Sequence, residues 1–351
     1  WEGVTSGPDA QPGDADRLYA ERIKLASWLE KQGNTERAER ILVDTREELG
    51  SMVADRPREQ PPRLLLARTL RVLAQLHHRR GGDALASARE AYQAAADLAE
   101  RLYYLDPMRR GVADELVEAM TGLALVASDL GDAESALADM DRLERFAARL
   151  ADEDPSNIDA RRVRTAAIER RASFTRRAGN DDAADLGQEA VDRFIALRDL
   201  APENASLMWD VPRARFVAGL AQESAGDRAA ATASWEQAAI EFETIYTSNN
   251  LSPSAYPWMA RCLRNAGGYT RSADPARALR WFLLADEIEP REESRLRWQR
   301  AMLARLAGEN ALACASLAEA LAFAERDEDD REITRVMNML EEYGCNDAPE
   351  D

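Results

Sequence analysis

The chain has 351 residues, 45% hydrophobic and 31% charged, with 46 basic against 64 acidic residues and a formal net charge of −18. A surface this acidic repels nucleic acid and anionic lipid at long range, so neither is expected as a general partner. No apolar run approaches the roughly 18 residues that span a bilayer, so no membrane insertion is expected, and no signal-peptide pattern is visible.

Residues 1–15, "WEGVTSGPDAQPGDA", are rich in Gly, Pro and Asp and read as a disordered lead-in. A chain that begins at Trp1 without methionine is expected to be part of a longer protein. From there a repeat sets in. A turn of Gly followed by Asn, Asp or Glu recurs at Gly33, Gly82, Gly131, Gly179, Gly226 and Gly308, with Ala273 in the same register. The steps are 49, 49, 48, 47, 47 and 35 residues. A fixed period on this scale means stacked supersecondary units.

Two columns of small residues flank the turns. Five residues after them stand Ala38, Ser87, Ala136, Ala184, Ala231, Ala278 and Ala313. Seven before them stand Ala26, Ala74 (counted from Gly81), Ala124, Ala172, Gly219, Ala266 and Ala301. Small residues beside a tight turn let two antiparallel helices approach closely. The glycine ends one helix, and the Asp or Asn after it caps the next. Prolines at "DRP" 55–57 and at the dipeptides beginning at 106, 154, 201, 252 and 289 close the units. Leu116, Met120, Leu123 and Ala127 follow helical spacing, and strand-like alternation is not sustained.

These spacings resemble the tetratricopeptide repeat family. The sixth unit carries the pattern as Ala266, Ala273, Ala278, Phe282, Ala285 and Pro290. Trp235 and Ala238 fill the corresponding places after Gly226, as do Leu317 and Ala320 after Gly308. The resemblance implies an all-α, right-handed solenoid of seven helical hairpins over 16–325. A capping helix at 326–344 and an acidic tail at 345–351 would follow. The first five hairpins depart from the 34-residue motif by about seven residues per helix. Seven residues at about 100° each return to within about 20° of the starting face. Each helix therefore lengthens by two turns without rotating its apolar stripe. The capping helix should present Ile333, Val336, Met337 and Leu340 as one stripe.

The fourth repeat opens with "RRVRTAAIERRASFTRR" at 161–177, which holds seven arginines in 17 residues. In the family the first helices line a concave groove. By that resemblance Arg176, Arg177, Ser173 and Glu169 face the groove, with Phe216 and Leu220 of the next first helix offering apolar contact. Arg164 and Arg171 instead replace a leucine column. They are expected to bridge to acids of neighbouring repeats such as Glu115, Glu118 and Asp210. Arg161, Arg162 and Arg170 are expected to include solvated positions. Trp209, near the start of a first helix, either packs at a repeat junction or lines a ligand groove.

No nucleotide, zinc-protease, C-x-x-C or calcium-loop motif occurs. His77 and His78 are adjacent, diverge by about 100° on a helix and read as a helix end rather than a metal pair. "ERDEDDRE" at 325–332 reads as a solvated loop. No catalytic residue, metal or cofactor is therefore expected. Cys314 lies early in the last hairpin's second helix and Cys345 just follows the capping helix. These two helices should run antiparallel, so the pair is either a disulfide, which would place the chain in an oxidising, periplasmic or extracytoplasmic compartment, or two buried thiols in the cytoplasm. The expected role is a scaffold that binds a protein or peptide segment with acidic groups. The alternative is a sensor or dimerisation arm, because the long repeats with "DP" ends also look like C-terminal regions of some bacterial serine/threonine kinases and other signal-transduction proteins.

Overall fold

The computed structural model describes residues 14–106, 111–248 and 256–345. The expected lead-in before Asp14, the tail after Cys345, and Pro107 and Pro253 lie outside the described residues. Those described form fifteen α-helices and no strand. They run as α1 (Asp14–Lys31), α2 (Thr35–Asp55), α3 (Gln60–Arg80), α4 (Ala84–Leu105), α5 (Val112–Asp129), α6 (Ala133–Glu153) and α7 (Ile158–Arg177), then α8 (Ala183–Leu200), α9 (Ala205–Ser224), α10 (Arg228–Thr247), α11 (Tyr256–Thr270), α12 (Pro275–Ile288), α13 (Ser294–Leu306), α14 (Asn310–Arg326) and α15 (Asp330–Glu342). The chain forms two compact units, residues 1–183 with α1–α7 and residues 184–351 with essentially all of α8 and the helices after it. The fold is an α-solenoid built from tetratricopeptide-like hairpins, long ones first. The helices through α10 have 18–22 residues and α11–α14 have 13–17.

The turns explain the repeat. Gly131 has φ 78°, the left-handed conformation that a side chain would strain. Its N–H reaches Ser128 O at 3.0 Å and the next N–H, of Asp132, reaches Ala127 O at 2.9 Å, which satisfies the last carbonyls of α5. The Asp132 carboxylate then accepts from Ser135 N at 3.0 Å and opens α6. Asp227 does the same for α10 through Ala230 N. Asn34 and Glu309 make no such side-chain cap.

The small columns are the close contacts. Ala26, Ala74, Ala124, Ala172, Ala266 and Ala301 are all 0% exposed. In the second repeat the column after the turn slips by one residue, because the extra glycine shifts the helix start. Ala88 is buried there and Ser87 is exposed. Ala184 is half-buried. Gly219 is the single non-alanine in the earlier column, and Trp235 accounts for it. A Cβ on Gly219 would lie 2.4 Å from the indole nitrogen of Trp235, which donates to Phe216 O at 3.2 Å.

The C-terminal helix α15 covers Ala301, Leu317 and Ala320 with Val336, Met339, Leu340 and Tyr343. Met337 does not join the stripe. It is 56% exposed, because the buried face follows the spacing 336, 339, 340, 343. A disulfide joins Cys314 of α14 to Cys345, with Cα atoms 5.3 Å apart. Cys262 is free and buried, and burial pushes its thiol up, which leaves it a packing residue.

Candidate functional site

In the first unit the arginine-rich helix α7 is held mainly by intramolecular ion pairs. The side chain of Asn157 accepts from Ala160 N at 3.0 Å and starts the helix. Arg176 and Arg177 close its last turn, where the helix dipole favours cations. Arg171 bridges back to α6, with Nη1 2.6 Å from Glu144 and Nε 3.2 Å from Asp141. Bonding to Glu144 raises the guanidinium pKa further. Arg164 reaches Asp152, also on α6, at 3.3 Å. Both arginines of the former leucine column therefore tie one repeat to the one before, as expected. Their partners are acids of the second helix, not Glu115 or Glu118 of the first. The long side chains snorkel outward, past the helix pair, where the α6 acids stand.

Glu118 binds Arg170 instead, at 2.8 Å, so Arg170 is paired rather than simply solvated. Glu115, 4% exposed, is gripped by two α3 arginines, Arg68 at 3.2 Å and Arg71. First helices α3, α5 and α7 are thus linked by alternating basic and acidic side chains. The adjacent histidines diverge, as their spacing requires. His77 contacts Glu39 of α2 at 3.0 Å and His78 contacts Asp129 of α5 at 2.7 Å.

The residues expected at the groove separate. Arg177 is exposed, with its guanidinium 5.5 Å from the Phe174 ring centre, and Arg176 and Ser173 are half-buried. Glu169 is buried at 5% exposure, which removes it from a ligand surface. Phe216 is 0% exposed, because Trp258 of the next hairpin meets its ring edge-on at 6.1 Å and Arg261 lies 5.6 Å over it. It is core, and Leu220 packs half-buried against the same cluster. Trp209 also packs there, 5.7 Å from Phe242.

The second unit holds a feature that no sequence pattern indicated. Between the first helices α11 and α13 lies a cavity of about 540 Å³. Helix α11 presents Arg261, Asn265, Gly268 and Tyr269 to it, and α13 presents Arg295, Leu296, Gln299 and Leu303. Phe282 of α12 adds an apolar wall, while Arg271, Arg291 and Glu293 come from the connections. Arg264 also lines it but is committed elsewhere. It binds Glu289 at 3.1 Å and donates to the carbonyls of Ala285 and Glu289, which anchors the end of α12. Arg291 is paired with Glu289 at 3.1 Å and Glu293 at 3.6 Å. Arg261, Arg271 and Arg295 are exposed and have no acidic partner among the described residues. Behind the cavity, Asp286 draws Arg297 to 2.6 Å and Arg300 to 3.6 Å, and Arg300 reaches Glu319 at 2.8 Å. That network fixes α12, α13 and α14 under the site. Among the described residues no group of three or more His, Cys, Asp or Glu side chains is placed to hold a metal.

The sequence matches no family model and no curated protein. Solved structures do resemble it. The apo form of RapI is similar over 93% of this chain and 82% of its own, at 11% identity and a TM-score of 0.53. BtubC (BKLC) from P. vanneervenii is similar over 71% of this chain and 94% of its own, at 18% identity and a TM-score of 0.51. A tetratricopeptide repeat protein from Parabacteroides merdae aligns over 92% and 99%, at 14% identity and a TM-score of 0.34. The chain has a tetratricopeptide-like repeat fold. At these identities the likeness is one of fold, and a site must be argued from this chain's own residues.

Proposed function

We propose that this chain is a protein-interaction scaffold that receives a partner segment on its first-helix face. The observation that carries this reading is the cavity between α11 and α13. It is open, lies between two successive first helices, and mixes apolar wall with side-chain donors. Its uncompensated guanidinium groups favour a partner with acidic groups. Arg177, Arg176 and Ser173 at the end of α7 are proposed as a separate contact on the first unit, and Leu220 of α9 as a contact on the second. The disulfide supports an oxidising compartment.

Capture from native extract tests the reading with three baits: wild type, a cavity-blocking Gln299→Trp/Asn265→Trp variant, and Arg176→Glu/Arg177→Glu. Blocking the cavity should remove the specifically captured protein, and the α7 charge reversal should weaken its retention. If both variants, shown folded by circular dichroism, retain the wild-type partners in wild-type yield, the assignment of the docking face is wrong.

A further inference from the structure

We infer that the cavity between α11 and α13 is a binding site for a phosphoryl group carried on a partner segment. This rests on the docking reading above and specifies the chemistry of the group that is docked.

The inference follows from the charge arithmetic at the cavity. Arg264 and Arg291 are neutralised by Asp286, Glu289 and Glu293. Arg261, Arg271 and Arg295 have no acidic partner among the described residues, and they come from three separate places: the body of α11, the turn after it, and the start of α13. In a chain of net charge −18, three exposed arginines around one cavity are set apart from arginines such as Arg68, Arg71, Arg164, Arg170 and Arg171, all of which hold acids of this same chain. A single carboxylate offers one charge and two oxygens, too little for three planar donor forks. A phosphate monoester carries about −1.5 to −2 charges and three strong acceptor oxygens, and guanidinium groups match it bidentately. Asn265, Gln299 and Tyr269 supply further polar atoms at the rim. The Tyr269 hydroxyl is bonded to Glu223, which helps to fix the ring.

The size of the cavity excludes a bare ion as the whole ligand. A volume of about 540 Å³ is that of a site for a drug-sized body, and Phe282, Leu296, Met302 and Leu303 give it an apolar side. A phosphorylated side chain with an apolar neighbour fits this division: oxygens to the arginines, hydrocarbon to the α12–α13 wall. The recognition is electrostatic and exposed, so it should weaken as salt rises.

The test uses the purified full chain and four probes: a fluorescein-labelled peptide Ala-Leu-phosphoserine-Leu-Ala, its Glu and Ser counterparts, and inorganic pyrophosphate as competitor. Fluorescence anisotropy should show the phosphoserine peptide binding about 10-fold or more tighter than the glutamate peptide, a step of one decade in affinity. The serine peptide should bind no better than the glutamate one, and pyrophosphate should displace the phosphoserine peptide. Arg261→Gln, Arg271→Gln and Arg295→Gln should each weaken binding about 10-fold. The circular dichroism melting curve should stay unchanged for Arg271→Gln and Arg295→Gln, which hold no ion pair among the described residues, whereas Arg261→Gln also uncovers the Phe216 ring. Equal binding of the three peptides, no binding by any of them, or undiminished binding by the triple Gln variant overturns the inference. The two readings fail separately. Phosphoserine binding with no captured protein sinks the docking reading alone. A protein captured through the cavity but indifferent to the three arginines sinks the phosphoryl site alone.

Discussion

Gly219→Ala is the sharpest test of the packing argument, because helix propensity and packing predict opposite signs. Alanine in a helix interior is favoured over glycine by about 0.8–1 kcal/mol, so propensity alone predicts stabilisation. The new Cβ would stand 2.4, 2.7 and 2.9 Å from Nε1, Cδ1 and Cε2 of Trp235. Ordinary carbon contacts lie at about 3.5–4.0 Å, so the indole must move by about 1 Å. Trp235 is 0% exposed and lies 4.6 Å from the Tyr269 ring, which leaves it little room. Overpacking of this kind costs about 1–3 kcal/mol. Moving the indole also strains its bond to Phe216 O, worth about 1 kcal/mol. The propensity gain roughly cancels the hydrogen-bond loss, so the net expectation is destabilisation by about 1–3 kcal/mol. Urea unfolding followed by circular dichroism measures it, with hydrogen exchange in α9 and α10 to locate the effect. In a Trp235→Leu background the same substitution should become neutral or stabilising, giving a coupling energy of about 1–4 kcal/mol. If Gly219→Ala stabilises the wild-type chain, the explanation of the one glycine in an alanine column is refuted.

Three further outcomes follow from the ion pairs and the disulfide. Arg71→Ala weakens the grip on a carboxylate that is 5% exposed and should destabilise the chain by about 3 kcal/mol, since an under-compensated buried charge is costly. Arg164→Ala removes a pair whose acid is 72% exposed and should cost under about 1 kcal/mol; similar values from chemical denaturation would contradict the division into buried and exposed bridges. Glu39 is held below the ordinary carboxylate range, first by its hydrogen bond from Arg80 and also by His77. Its contribution is therefore present above the unfolded value near 4.5 and lost as pH falls through the lower folded value. The stability gap between wild type and Glu39→Gln should close in that acid window, and a gap that persists below it would refute the assignment. Denatured, unreduced protein should show one titratable thiol, Cys262, and the native protein none, because that thiol is buried. Cys345→Ser opens a link that spans 31 residues and should cost about 3–4 kcal/mol while speeding amide exchange in α15. Three thiols in the denatured protein would exclude the bond.

The sequence disclosed what is local and repeated. A left-handed glycine, an alanine in contact with the facing helix, and helices lengthened by whole turns each leave a mark within a few residues, and the period repeats that mark along the chain. Rotational details that depend on the neighbouring hairpin were not legible. Phe216 has the phase of a groove residue, yet Trp258 and Arg261, more than 40 positions later, cover it. Met337 fits an apolar stripe by spacing alone, yet the buried face of α15 runs through Val336, Met339 and Leu340 and leaves it out. Arg164 and Arg171 were placed in the right column, but the column does not reveal which helix supplies the acid.

The same limit explains why the conspicuous arginine run was a poor guide to free positive charge. Within 161–177 the acids that hold Arg164, Arg170 and Arg171 come from α5 and α6, and a one-dimensional charge count cannot show them. Arg261, Arg271 and Arg295 stand in two acid-free stretches, 258–273 and 294–307, and nothing in the sequence shows that these stretches meet. Two stacked first helices and their connections bring them to one cavity. A dense run on one helix has acidic neighbours on the helices packed beside it, and pairing is then the low-energy arrangement. Arginines that converge without acids keep unused hydrogen-bonding capacity, and that capacity is what a bound anion requires. In an acidic repeat protein the informative quantity is therefore where guanidinium groups left over after pairing face a common cavity, as Arg261, Arg271 and Arg295 do between α11 and α13.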